Sequence, residues 1–200
     1  MSNILIINGA ASYPFAKGAL NSALEQKACT YFEANGDTVR TSNVIKGYDV
    51  DQEIANHQWA DTILMQFPIN WMTVPWAFKK YMDDVYTAGM DGRLCAGDGR
   101  TSEAPKANYG MGGALTGKNY MLSVTLNAPA EAFDDPSEPF FEGLSLDALL
   151  APVHFNAKFF GLKALPTFAA FDVMKNPDID SDFERFETHL HSVFIKPEAG

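Results

Sequence analysis

Two hundred residues, 46% of them hydrophobic and 12% aromatic, are enough for one substantial core. A net charge of −10 leaves no concentrated basic face, which argues against a nucleic-acid partner and against an anionic membrane surface. The opening MSNILIINGAAS has no basic region and only a short apolar run, and no other segment is long enough for a membrane span. Cys29 and Cys95 show neither CxxC nor ligand spacing, so buried thiols in a reducing, cytoplasmic setting are expected.

In chain order, Asn3–Asn8 (NILIIN) is a β-branched apolar run and therefore a strand, followed by a loop to about Lys17. Over 18–35, Leu20, Leu24, Ala28, Tyr31 and Phe32 recur at three- and four-residue intervals, which predicts a helix that Asn35-Gly36 ends. Thr38–Asn43 alternates like an edge strand, and a weak helix follows at Val50–Trp59. Residues 61–66 (DTILMQ) form the next strand, and after the loop FPINWMTVPW, Pro75 suits the first turn of a helix ending at Gly89. Residues 90–119 are rich in Gly, Asp, Ser and Pro without periodicity, and loops of that length tend to be functional. A strand at 120–126, a loop at 127–143, a helix at 144–160, a strand at 165–171 and a helix at 180–194 complete the chain.

Five strand–helix alternations with apolar strands give an α/β sandwich around a parallel sheet. Such sheets bind ligands outside the carboxyl ends of their strands, where the strand order reverses. The loops at 9–18, 67–75 and 127–143 are therefore the ones that matter.

The first, GAASYPFAKGALN, opens a helix whose free N–H groups and dipole favour phosphate, although the dinucleotide fingerprint GxGxxG is absent. A solvated turn explains the same composition. The second carries Trp71 and Met72 between Pro68 and Pro75, which stiffen its backbone. A stiff apolar loop at the ligand edge suits a flat aromatic ring, with indole to stack, thioether to fill and N–H groups to meet ring carbonyls. A subunit contact or a loop anchor would carry the same pattern. The third, TLNAPAEAF, adds a hydroxyl and an amide near the same spot.

The stretch PINWMTVP at 68–75 resembles the isoalloxazine loop of the flavodoxin-like NAD(P)H:quinone reductases, and most of all their modulator of drug activity B branch. The likeness extends over ILIINGA, QFPINWMTVPWAFKKYMDDVYT, DGRT at 98–101, YGMGG at 109–113, GKNYMLSVTLNAPAEAF and ALPTFAAFDVMKNPD, in that order. It implies a single flavodoxin-like domain over 1–200: a three-layer sandwich with a five-stranded parallel sheet ordered 2-1-3-4-5 and helices on both faces. It further implies FAD, rather than FMN, at a homodimer interface, with hydride passing from NADPH or NADH by way of flavin N5 to a quinone. Carried over by position, the phosphate loop supplies Phe15, Gly18, Leu20 and Asn21, and the ring loop Pro68, Ile69, Asn70, Trp71 and Met72. Thr125, Leu126 and Asn127 follow the fourth strand, and Asp83 reaches the partner's FAD. Phe133 stands where the mammalian quinone reductase has a proton-donating Tyr, which leaves Tyr109 as the substitute catalytic residue; Ala16 likewise replaces a Ser. An FMN-dependent azo- or nitroreductase and a non-catalytic electron carrier are the alternatives on this fold.

Other signals carry less. The run GGALTGK at 112–118 nearly matches a P-loop but has Asn119 in place of Ser or Thr and precedes a strand, so it reads as a flexible active-site or dimer loop. His189 and His191 diverge on one helix and cannot chelate together, while His57 and His154 are isolated. Asp83-Asp84 and Asp134-Asp135 read as solvated charge.

Overall fold

The computed structural model describes residues 1–14 and 16–195. Its strands are β1 (Asn3–Asn8), β2 (Thr38–Asn43), β3 (Thr62–Pro68), β4 (Asn119–Thr125), β5 (Lys163–Ala164) and β6 (Phe168–Ala170). The helices are α1 (Ala19–Ala34), α2 (Val50–Trp59), α3 (Trp76–Ala88), α4 (Leu146–Leu149), α5 (Ala151–Phe159) and α6 (Ile179–Val193). All pairings are parallel, in the order β2-β1-β3-β4-β5, with β6 also on β4. The order expected from the resemblance is thus observed, with a sixth strand added.

Strand periodicity builds the layers. Ile4 and Ile6 of β1, Leu64 of β3 and Met121 of β4 face Leu24, Ala28 and Phe32 of α1 and Phe186 and Leu190 of α6. Their neighbours Leu5, Ile7, Ile63, Met65, Leu122 and Val124 face α2, α3 and α5 through Ile54, Phe78, Tyr81, Val85, Val153 and Ala157. Each strand side thus has its own core, as a sheet covered on both faces requires. β2 is largely exposed, as its polar alternation implies.

Two elements depart from the sequence reading. The helix expected over 144–160 is broken at Leu150, because Pro152 has no N–H to donate and its ring crowds the carbonyl four residues back. The strand expected over 165–171 is split: Tyr120 pairs with Ala164 but Ser123 with Phe168, so three residues oppose two. The extra residue falls at the segment containing Pro166, where a bulge is the tolerated solution.

The long 90–119 segment is a folded loop, not a slack one. Cys95 bridges to Gly113, with Ala96 N–H to Gly112 O at 2.9 Å and Ala114 N–H to Leu94 O at 2.9 Å. A Cβ on Gly113 would sit 2.2 Å from the Phe160 carbonyl carbon, so only glycine lets this loop lie against the end of α5. Within 112–118, Gly112, Ala114 and Leu115 make backbone hydrogen bonds to Ala96, Leu94 and Phe160.

Candidate functional site

Between β1 and β3 the connections leave in opposite directions across the sheet, and a cleft of about 360 Å³ opens above that point. Nine of the sequence-selected residues line it: Gly18, Leu20 and Asn21 from the start of α1, Pro68, Ile69 and Asn70 after β3, and Thr125, Leu126 and Asn127 after β4. Lys17 adds the cleft's cation.

The α1 end of the cleft differs from the starts of α2 and α6. Helices α2 and α6 begin on Asp49 and Asp178, whose carboxylates accept from Gln52 N–H and Ser181 N–H, and both carry acidic residues in the first turn. Helix α1 begins instead on Gly18, at φ 74°, with no side-chain cap and no acid in its first turn. Its leading N–H groups and positive dipole end are left to whatever occupies the cleft.

The ring loop is a two-residue hairpin. Asn70 and Thr73 exchange both backbone hydrogen bonds, at 2.8 and 3.1 Å, across Trp71 and Met72. Both central residues have positive φ, 47° and 67°, a conformation normally left to Asn and Gly. Strain of this kind costs on the order of 1–3 kcal/mol per residue and gathers at functional sites. Trp71 is 94% exposed and Met72 43%; neither turns into the interior, and neither side chain lines the cleft. The stiff support expected of them is a projecting turn tip instead. Among the described residues, Ile69 N–H is taken by Thr125 O and those of Asn70 and Thr73 by each other. No backbone bond among the described residues takes the N–H groups of Trp71 and Met72 at the turn tip.

Tyr109 and Asp83 lie elsewhere, together. Both line a groove of about 290 Å³ between α3 and α5, with Met82, Met90 and Phe159. Tyr109 is 72% exposed, its ring 5.7 Å from the Arg100 guanidinium. Asp83 is ion-paired to Lys79 on the same helix. The reading of Asp83-Asp84 as solvated charge needs refinement, since Asp84 also accepts from the Tyr48 hydroxyl at 2.7 Å. Phe15 lies outside the described residues.

Sequence reasoning missed Tyr13, Val173, Met174 and Ile179 as cleft walls. Val173 and Met174 stand between β6 and α6 and Ile179 opens α6, all outside the carboxyl end of the last strand, so the loop rule already applied to the other strands would have found them. Beyond Asn127, the loop to residue 143 stays out of the cleft: Phe133 is buried, stacked on Phe141 at 4.4 Å. Both cysteines are free; Cys95 is buried, and burial with the nearby Glu25 and Glu33 pushes the Cys29 thiol up to about 11. His189 and His191 do diverge, to Pro166 O and to the Tyr31 ring, and no metal-binding group of three ligands occurs among the described residues.

A parallel sheet in this order, with a cleft at its switch point and helices on both faces, defines a flavodoxin-like fold. The chain belongs to the family of the Flavodoxin_2 model, described as flavodoxin-like fold, which matches residues 2–193. It is 42% identical over 192 residues to the NADPH:quinone oxidoreductase MdaB of Haemophilus influenzae, covering 96% of this chain and 99% of that one. The backbone superimposes on a Klebsiella pneumoniae protein solved as a candidate quinone reductase with a TM-score of 0.78 at 22% identity, over 98% of this chain and 86% of the other. General stress protein 14 of Treponema denticola, solved in complex with FMN, gives a TM-score of 0.67 at 19% identity, over 96% and 99%.

Proposed function

We propose that the protein is a flavin-dependent NAD(P)H:quinone oxidoreductase that uses FAD. The observation that carries this reading is the convergence of nine residues from three separate loops on one cleft, with an uncapped α1 terminus at one end and the ring loop at the other. The likeness to the Haemophilus influenzae quinone oxidoreductase over almost the whole of both chains supports the same activity.

The residues present fit a flavin. Gly18, Leu20 and Asn21 would take the phosphates, because their helix end offers unpaired donors and a favourable dipole and Lys17 adds charge. Pro68, Ile69 and Asn70 would border the ring system, with Trp71 and Met72 presenting N–H groups to its polar edge. Thr125, Leu126 and Asn127 complete the cleft wall, Thr125 standing directly against Asn21. A bound flavin supplies the two-electron chemistry that links a nicotinamide donor to a quinone acceptor. The protein's part is to hold, orient and offer hydrogen bonds where charge develops.

Within one chain, Tyr109 and Asp83 are remote from this cleft. A homodimer accounts for them: the groove they share and the hollow beside it are lined by exposed Met90, Met111 and Phe155, an apolar surface that a second copy would cover. In that arrangement Asp83 and the Tyr109 hydroxyl serve the partner's cleft, with Tyr109 as the proton-holding group beside the substrate. The acidic composition and free thiols suit the cytoplasm, and no helix among the described residues is long and apolar enough to cross a membrane.

Purified protein should absorb as an oxidised flavoprotein, bleach on addition of NADPH or NADH, and regain colour with a quinone. Protein that takes up no flavin ends the reading. FMN is the second candidate, favoured by the Treponema denticola complex, and chromatography of the heat-released cofactor decides between the two. An azo- or nitroreductase would show itself by substrate preference, and an electron carrier by failing to oxidise NAD(P)H.

A further inference from the structure

Beneath the cleft, on the α1 side of the sheet, a buried polar chain runs from Gln66, which does not line the cleft, to Asn21 and Thr125, which do. Gln66, fully buried on β3, donates from Nε2 to Asn21 Oδ1 at 2.8 Å. Asn21 in turn donates from Nδ2 to Thr125 Oγ1 at 3.1 Å. Gln66 Oε1 has no partner, and neither has the hydroxyl of Ser123, its register neighbour on β4. A carbonyl oxygen left unmet costs less than an unmet pair of N–H donors, which fixes the Gln66 amide this way round.

We propose that Gln66 is a positioning residue which, acting through Asn21, turns the Thr125 hydroxyl into a hydrogen-bond donor toward the cleft and so selects a phosphate-bearing flavin over its phosphate-free form. The inference rests on the flavin reading above. Thr125 has two contacts with the Asn21 amide: the 3.1 Å bond it accepts from Nδ2 and a longer 3.4 Å approach to Oδ1. The Gln66 bond to Oδ1 fixes the amide with Nδ2 toward Thr125, which leaves the Thr125 proton only the longer 3.4 Å approach within the chain and a better acceptor in the cleft, which both Thr125 and Asn21 line. An anion is the ligand such a proton favours. Without Gln66, Asn21 Oδ1 loses its donor, the Thr125 hydroxyl turns back to fill it, and the cleft meets a lone pair in place of a proton.

The test is a titration of the apoprotein with riboflavin, FMN and FAD. Wild type should bind FMN and FAD well ahead of riboflavin. Gln66→Met, of similar length but without a donor, should weaken FMN and FAD by about tenfold or more and riboflavin by less than about twofold. Thr125→Val should do the same, and Gln66→Met combined with Thr125→Val should cost no more than either alone. Riboflavin binding reports whether each variant is folded. Gln66→Glu gives an independent readout: its neutral acid can donate to Asn21 and its carboxylate cannot, so its affinity for FAD, whose diphosphate keeps one charge state over this range, should fall as pH rises from 5 to 9 while that of wild type stays level. Equal losses for riboflavin and FMN, additive losses in the double variant, or a level pH profile for Gln66→Glu would overturn the proposal while leaving a flavin site in place. Absence of any flavin binding by wild type would instead remove the reading on which it stands.

Discussion

The Asn70 side-chain amide donates to the Tyr13 hydroxyl at 3.0 Å, tying the loop after β3 to the loop that precedes α1. The two loops line the same cleft, so this bond helps to fix its span. Tyr13→Phe removes the acceptor and leaves a half-buried amide unmet, a cost of roughly 1 kcal/mol. Affinity for the flavin should fall about fivefold, as followed by quenching of flavin fluorescence. Asn70→Ala should match it, and the double variant should lose little more; additive losses would show that the two loops are set independently.

The turn at Trp71 and Met72 keeps two bulky side chains at positive φ, and a fold does not hold that strain without something in return. Replacing the pair by Trp71→Asn with Met72→Gly, the residues this turn ordinarily takes, should stabilise the protein by about 1–2 kcal/mol. For a chain of this size the melting temperature should rise by roughly 2–8 °C. Quinone turnover should drop in the same variant. A variant both more stable and fully active would mean the turn serves packing or assembly alone.

How far these features could be read from sequence follows from the range of the forces behind them. Strand and helix periods at Ile4–Ile7 and Leu24–Phe32 come from burial on one face, which a linear pattern records directly. The strand-end rule then gathered the loops at 9–18 and 67–75 without coordinates, and the family resemblance named Gly18, Asn70 and Thr125. The hairpin at residues 71–72 was not legible, because positive φ in a Trp or Met runs against local preference and is imposed by the Asn70–Thr73 exchange. Nor was the separation of Tyr109 from the cleft, since the fold of 90–119 depends on a contact between Gly113 and Phe160 that has no sequence period. The split after β5 turned on a register shift of one residue at Pro166, below the resolution of any pattern.

That contact supplies another prediction. Gly113→Ala would place a methyl carbon 2.2 Å from the Phe160 carbonyl carbon and 2.3 Å from Gly161 N, both backbone atoms that cannot swing aside. The loop must lift from α5, at a cost of roughly 2 kcal/mol or more. Tyr109 would move with it, so turnover should fall with melting temperature while flavin affinity, set at the distant cleft, changes little. Loss of flavin in parallel with Tm would indicate general unfolding instead.

The last prediction concerns acid. His57 is buried between Tyr81 and Tyr86, and its Nδ1 lies 2.8 Å from the Glu53 carbonyl oxygen. A carbonyl can only accept, so Nδ1 carries the proton of the neutral ring and Nε2, which has no partner, is bare. Protonating Nε2 would bury a charge, and burial accordingly lowers the folded-state value below the ordinary 6.5. Between those two values the unfolded chain binds a proton that the folded one refuses. Stability is therefore full above pH 6.5 and declines as pH falls, by up to about 1.4 kcal/mol for each pH unit. The half-buried His189 is lowered in the same direction, also by burial, and adds to the slope. His57→Phe keeps a ring between the two tyrosines but cannot titrate. Urea denaturation at pH 7.5, 6 and 5 should show a shallower acid slope in the variant, by close to one proton, and an unchanged slope would place the acid sensitivity elsewhere.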